Sequence, residues 1–143
     1  ISDSIKGYKY ILVDCPPSLN ILTVNALAAA TAVIIPVQCE FFALQGLSEL
    51  MTTIEQIKKR TNGKLSIKGI LRTMFDPRNN LALDVSDQLI KYFKSQVFKT
   101  IIPRNIRLAE APSYGKPIQD YDDSSKGAFA YMSLVGEIIK QEK

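Results

Sequence analysis

The sequence predicts a three-layer α/β domain with a mostly parallel sheet. Along its 143 residues, apolar segments with strand propensity alternate with segments whose apolar residues recur every three or four positions. This alternation is typical of strand–helix–strand units joined by right-handed crossovers. Several apolar runs are short and continuous, which indicates strands buried on both faces, as in a parallel sheet. The length suits one domain with a sizeable core.

The first predicted strand leads to a carboxylate. The apolar run at residues 10–13 is followed by Asp14, Cys15 and a double proline, which cannot continue a ladder. Asp14 is therefore predicted at the carboxyl end of a central strand, where open α/β sheets bind ligands. Taken alone, this position has two interpretations: a magnesium-holding aspartate of a nucleotide hydrolase, or a side chain that caps the turn.

The remaining elements follow from periodicity and from turn residues. Helices are predicted at 21–29 (capped by Asn20 or Ser18), 44–60, 81–94 and 126–141 (capped by Ser124 or Ser125). Strands are predicted at 31–37 (with Pro36 at its end), 66–75 and 97–102, and a long loop at 104–125. The third helix is expected to bury Val85, Leu89, Tyr92 and Phe93, and the last helix Phe129, Met132, Val135 and Ile139.

Composition excludes several classes of site. The chain has no histidine, so it contains neither a catalytic triad nor a histidine-ligated zinc site. Its two cysteines, Cys15 and Cys39, lack the spacing of a zinc or redox pair, which favours reduced thiols. Net charge is +4, and residues 72–116 hold eight basic against four acidic residues. This balance is too mild to indicate nucleic acid by itself.

Several short motifs occur in order along the chain. They are YILVDCPPS at 10–18, IPVQCE at 35–40, TMFD at 73–76, IPRN at 102–105, RLAEAPS at 107–113, Lys116-Pro, and Tyr121-Asp followed by Ser125-Lys-Gly127. Together they resemble the ParA/Soj family of chromosome- and plasmid-partitioning ATPases, within the deviant-Walker, MinD-like P-loop group. The resemblance implies a P-loop NTPase type of fold. Pro77 and Tyr114 depart from the family pattern without removing an implied ligand.

The resemblance also implies a site for ATP and Mg²⁺. Asp14 would be the Walker B aspartate, acting on Mg²⁺ through a coordinating water, with residues 15–18 as the adjoining switch. The adenine would lie against Thr73, Met74, Pro103, Arg104 and Asn105. A proline ring and a methionine offer flat apolar contact, and an asparagine amide can read a base edge. Without the resemblance, residues 103–105 would be interpreted as a strand-ending turn.

The partners implied are DNA, bound without sequence preference by an ATP-dependent homodimer, and a centromere-binding ParB-like protein. Arg78 and Arg107 match the DNA-contacting positions, followed by Lys94, Lys99 and Lys116. The implied location is cytoplasmic and nucleoid-associated, with no membrane contact. Two alternatives stay open: a MinD-like, membrane-cycling cell-division regulator, and a non-catalytic interaction module in which Asp14 is structural.

A Gly-rich phosphate loop does not occur anywhere in the 143 residues. Phosphate cradling by backbone amides and a lysine is required for hydrolysis. The resemblance therefore implies that residues 1–143 form the C-terminal portion of a single ParA-like ATPase domain, truncated before its first strand and phosphate loop. We expect this portion alone to be inactive in ATP hydrolysis.

Overall fold

The computed structural model of the protein describes residues 6–16 and 20–142. Within these residues one parallel sheet has the order β1-β2-β3. Its strands are β1 (Ala32–Gln38), β2 (Ser66–Phe75) and β3 (Val97–Pro103). The helices are α1 (Ile21–Ala29), α2 (Ala43–Arg60), α3 (Asn80–Phe93), α4 (Ile106–Glu110), α5 (Ile118–Tyr121) and α6 (Lys126–Lys140).

Helices cover both faces of the sheet, which confirms the predicted three-layer α/β class. One buried cluster joins β1 and β2 to α2 and α3, and includes Ile35, Ile70, Ile54 and Leu89. A second cluster joins the opposite face to α6, and includes Leu71, Phe98, Ile102 and Leu134. Because successive side chains of a strand point to opposite faces, Ile70 and Leu71 serve different layers.

The N-caps of α1 and α6 are residues that the sequence predicts for these positions. Asn20 Oδ1 accepts hydrogen bonds from the amides of Leu22 and Thr23 at 3.0 and 3.1 Å, so α1 begins and ends where predicted. Ser125 Oγ accepts from the Ala128 amide at 3.1 Å and caps α6. The alternative cap Ser18 lies outside the described residues. These side chains satisfy amides that a helix start leaves without partners.

Pro36 lies inside β1 and not at its end, since the strand continues to Gln38. Among the described strands, β1 pairs only with β2, where Pro36 lies opposite Leu71. Proline is tolerated in strands that have an unpaired edge, because no ladder bond is lost there. The expectation that proline would end this strand is therefore wrong.

The predicted first strand does not form. Residues 10–13 have no regular structure and are exposed, with Leu12 at 90%. The Tyr10 hydroxyl donates to the carboxylate of Glu142, just beyond α6. A strand needs a neighbour that satisfies its backbone amides and carbonyls, and no described strand pairs with this segment. The prediction of a buried strand at residues 10–13 is therefore wrong.

The predicted inner faces of two helices need correction. In α3, Val85 and Leu89 are buried as expected and Phe93 packs against the core, but Tyr92 is 66% exposed. In α6, the predicted stripe is exposed throughout: Phe129, Met132, Val135 and Ile139. The buried face instead carries smaller or later residues. Ala130, Leu134 and Ile138 pack on the sheet, and Ala128 packs against α4 and α5. Periodicity identified the helix, but two apolar stripes shared that periodicity and the larger side chains lie on the outer one.

Residues 104–125 are largely helical rather than a loop. They contain α4, a 3₁₀ turn at Ala111–Tyr114 and α5. Each piece is short, so the apolar periodicity that would reveal it in the sequence never develops. Gly127 sits against Leu108, whose Cγ would lie 2.5 Å from an added Cβ, and this close approach joins α6 to α4.

Candidate functional site

The carboxyl ends of the three strands lie at one edge of the sheet, because the strands are parallel. At this edge a cavity of 280 Å³ is bordered mainly by polar side chains. Its lining includes Gln38 and Glu40 after β1, Met74 and Asp76 at the end of β2, and Arg104 after β3. Clefts at this edge are where open α/β sheets bind ligands.

Thr73 and Met74 lie near the end of β2, as predicted for the base-contacting residues. Met74 has a positive φ of 48° and is 46% exposed. A non-glycine residue in the left-handed region costs about 1–3 kcal/mol and is found most often at functional sites. Met74 is one of the residues that line the cavity.

Pro103, Arg104 and Asn105 meet the end of β2. Pro103 lies opposite Phe75 in the sheet, and the Arg104 amide donates to the Phe75 carbonyl at 3.0 Å. Asn105 Oδ1 accepts from the Leu108 amide at 3.2 Å and caps α4, so its NH₂ group stays able to donate to a ligand. The structure thus brings the predicted base-contacting residues of β2 and β3 together.

Arg78 forms a close ion pair with Asp76 in the turn after β2. Its Nε and Nη2 donate to the two carboxylate oxygens at 2.9 and 2.7 Å, and its backbone amide donates at 3.0 Å. These bonds lower the pKa of Asp76 from 3.8 to about 2. The Arg78 side chain is 87% exposed, so it reaches solvent while its charge is balanced.

Arg107 on α4 is also held by carboxylates. It pairs with Glu110 at 3.0 Å and with Asp122 at 3.3 Å. Glu110 additionally accepts from the Tyr121 hydroxyl at 3.0 Å, which ties α4 to α5. The hydrogen bond to Glu110 raises the pKa of Arg107 above its already high value. Both leading DNA-contact candidates therefore carry acidic partners.

The predicted cations do not form one patch. Arg78 and Arg107 follow strands at the carboxyl edge of the sheet, whereas Lys94 ends α3 at the opposite edge, just before β3. Lys99 lies within β3, and Lys116 follows the 3₁₀ turn at Ala111–Tyr114. A surface that included all five would have to extend around the molecule.

Asp14 is exposed and belongs to the irregular segment at residues 6–16. It does not end a strand, because the strand expected before it is not formed. Within the described part of the chain, no group of three or more cysteine, aspartate or glutamate residues is arranged to hold a metal ion. Of the predicted switch at 15–18, residues 17 and 18 lie outside the described residues.

A buried arginine and its partners were missed in the sequence. Arg72 in β2 is only 6% exposed and donates to Ser86 Oγ of α3 at 2.9 Å. Burial raises the pKa of the nearby Cys39 thiol, and the charge of Arg72 opposes that rise. The available signal was a cation directly after the apolar residues Ile70 and Leu71, which the sequence alone could not assign to core or surface.

Comparison with known proteins gives close relatives over nearly the whole chain. It is 53% identical to the sporulation initiation inhibitor protein Soj of Bacillus subtilis and 54% identical to the chromosome partitioning protein ParA of Myxococcus xanthus. These matches cover 93% and 94% of the chain, but 53% and 48% of the relatives. A family model described as an AAA domain matches residues 2–67.

Solved structures give the same fold. Cobyrinic acid a,c-diamide synthase from Mycobacterium smegmatis is 31% identical, with a TM-score of 0.77 over 99% of this chain and 51% of that one. The same enzyme with a bound ATP analogue and magnesium gives 0.76. The cell division ATPase MinD of Pyrococcus furiosus, at 23% identity and a TM-score of 0.73, shares the fold.

The fold and its neighbours define the class as a three-layer α/β domain of the P-loop NTPase type. Within that class, the chain is similar to proteins named Soj and ParA, at 52–54% identity over more than nine-tenths of its length. It spans about half the length of the curated relatives it matches.

Proposed function

We propose that the protein to which this chain belongs is an ATP-dependent partitioning ATPase for a chromosome or plasmid. The observation that carries the proposal is the near 50% identity, over more than nine-tenths of the chain, to proteins named for chromosome partitioning. The membrane-cycling alternative has weaker support. It depends on MinD, whose 23% identity shows the fold alone. As a separate observation, no helix within residues 6–16 and 20–142 is long and apolar enough to cross a bilayer.

The nucleotide base is proposed to bind at the carboxyl edge of the sheet. Met74 and Arg104 border the same cavity there, and Asn105 has a free NH₂ group for a base acceptor. Thr73 and Pro103 would complete the apolar and polar contacts from the ends of β2 and β3. The ends of two adjacent strands, β2 and β3, would supply the contacts to the base together, and this arrangement supports base recognition.

Asp14 suits Mg²⁺ as a single hard oxygen donor, since this ion keeps several waters and takes one or two carboxylates plus phosphate oxygens. The described residues add no cluster around it. We therefore propose that Asp14 contributes through a water, as the Walker B aspartate of the ATPase. The ion would neutralise charge on the phosphates, while the protein's role here is to orient that water.

DNA binding is proposed for Arg78 and Arg107, within an ATP-dependent homodimer stimulated by a ParB-like partner. Both side chains are ion-paired yet substantially exposed, at 87% and 54%. A phosphate would compete with or share the carboxylate partner. The acidic partners should therefore weaken each contact relative to an unpaired arginine, and Lys94, Lys99 and Lys116 would add at most secondary contacts.

Charge reversal tests this assignment. In the full-length protein with ATP, Arg78→Glu and Arg107→Glu should each weaken binding to unrelated DNA sequences by about tenfold. Each should also make the plot of log K against log salt concentration less steep, by the equivalent of about one phosphate contact. Lys64→Glu, between α2 and β2, is the matched control and should have a smaller effect. Fluorescence anisotropy at several salt concentrations measures this. Unchanged, salt-sensitive binding in both arginine variants would contradict the assignment.

A further inference from the structure

β3 bulges between two points of its pairing with β2. Ile70 lies opposite Val97 and Arg72 lies opposite Ile101, so β2 advances by two residues while β3 advances by four. Phe98, Lys99 and Thr100 fall within this span. A bulge leaves backbone groups without ladder partners, and buried backbone groups without partners are costly.

Arg72 satisfies the carbonyl groups of the bulge. Its Nη2 donates to the Phe98 carbonyl at 2.9 Å and to the Lys99 carbonyl at 3.4 Å. Its Nη1 donates to Ser86 Oγ of α3, so the guanidinium is held between α3 and the bulge of β3. A buried cation is therefore bonded directly to the irregular backbone of β3.

Glu137 of α6 satisfies the amides of the same bulge. Its Oε1 accepts from the Lys99 amide at 2.8 Å and its Oε2 from the Thr100 amide at 2.9 Å. Burial alone would raise the pKa of Glu137, but the two amide bonds hold it below its usual value. Arg72 thus donates to the carbonyls of the bulge, and Glu137 accepts from its amides. The electrostatic attraction between Arg72 and Glu137 also stabilises both charged side chains.

We propose that Arg72 and Glu137 are positioning residues for the base-contacting residues 103–105. A one-residue slip moves a strand by about 3.3 Å and reverses the faces of its side chains. The pairing shifts a second time between Arg72 and Phe75, where β2 advances by three residues and β3 by two, and Pro103 lies opposite Phe75 beyond that shift. The register in which β3 reaches this second shift depends on the bulge being held. The pair therefore determines how tightly and how selectively a purine base is bound, an inference that rests on the proposed function.

The test uses Glu137→Gln in the full-length protein. The amide places an NH₂ donor against a backbone donor, so one of the two bonds is lost and a repulsive contact replaces it. We expect the KM for ATP to rise about tenfold, with kcat changed less than about twofold, and the preference for ATP over GTP to fall. Glu55→Gln, the same change at an exposed position of α2, should leave all three unchanged.

Hydrogen exchange supplies a readout that does not depend on nucleotide. In Glu137→Gln the amides of Lys99, Thr100 and Arg104 should exchange faster. Ser86→Ala, which removes the α3 contact of Arg72, should speed the same exchange to a smaller extent, whereas Thr52→Ala, which removes a hydrogen bond within α2, should leave it unchanged. If Glu137→Gln does not fold, Glu137→Asp takes its place, because its shorter side chain can keep one amide bond but not both.

Three outcomes decide the inference. An unchanged KM, ATP preference and Arg104 exchange in the folded variant would overturn it. An equal loss in kcat and KM, with faster exchange throughout the protein, would show a role in stability alone and would also overturn it. Failure of the wild-type protein to bind ATP would overturn the proposed function and this inference with it, and the exchange data would still show whether Glu137 holds the bulge.

Discussion

At the scale of single residues, the ion pair between Asp76 and Arg78 controls how much positive charge the carboxyl edge of the sheet presents. Two side-chain bonds and one backbone bond join the two residues. Because the pair is exposed, it contributes little to stability, and its effect is mainly on what Arg78 can bind. The carboxylate restrains the guanidinium and competes with any phosphate for it.

Asp76→Asn should release Arg78. We expect the full-length protein with ATP to bind DNA several-fold more tightly, with the salt dependence steeper by up to one phosphate contact. Asp84→Asn on α3 is the matched control, since it removes the same charge without touching Arg78. DNA titrations at several salt concentrations compare the two. Equal gains in both variants would mean that net charge alone is responsible and that Arg78 makes no contact.

Part of the spatial arrangement of the candidate site could be predicted from the sequence, while its role stays a prediction. Motif order indicated Met74, Arg104 and Asn105, and the structure brings their segments together at one edge of the sheet. The roles of Arg72 and Glu137 could not be predicted, because they depend on a bulge that no composition or periodicity reveals. The left-handed backbone of Met74 was equally hidden, since nothing in a methionine indicates a positive φ.

At the scale of elements, two asparagines show how one residue type serves different ends. Asn62, just after α2, donates through Nδ2 to the carbonyls of Leu27 and Ala30 at 3.0 and 2.7 Å, and so ties α2 to the end of α1. Asn79 instead accepts through Oδ1 from the amides of Leu81 and Ala82 and caps α3. The position of Asn62 therefore requires a hydrogen-bond donor, and the position of Asn79 requires a hydrogen-bond acceptor.

Asn62→Asp should therefore destabilise the protein by about 2–3 kcal/mol, because it removes the donor and places a carboxylate against two carbonyls. Asn79→Asp makes the same chemical change, but aspartate is an equally good helix cap, so we expect a change of less than about 0.5 kcal/mol. Urea unfolding of the full-length protein measures both. Similar effects in the two variants would contradict the roles assigned to these side chains.

The elements themselves were predicted well where the signal was local. β2 was predicted at its observed bounds, and α1 likewise, because caps and turns lie in the sequence next to the elements they end. The strand prediction for residues 10–13 failed because a strand forms only when a neighbouring strand pairs with it, and the segment alone does not decide that. The packing face of α6 failed for a related reason: which stripe is buried depends on the surface it meets.

At the scale of the whole molecule, the chain is an α/β unit with a covered sheet and several exposed apolar surfaces. The outer stripe of α6, with Phe129 and Met132, and residues 10–13 are among them. Exposed apolar surfaces of this kind often mark places where other protein surface packs. The chain also spans about half the length of its relatives, and the sequence contains no phosphate loop. Its activity is therefore a property to be measured in the full-length protein.

The most direct test of the account is ATP hydrolysis by the full-length protein, its Asp14→Ala variant and the 143-residue chain alone. We expect the wild type to hydrolyse ATP and the isolated chain to show no activity. The variant should lose about a hundredfold or more, because the aspartate is proposed to orient a water on the magnesium ion. Asp3→Ala, outside the proposed switch, is the control for loss of an acidic residue. Full turnover by Asp14→Ala, or Asp14-dependent turnover by the isolated chain, would contradict the account.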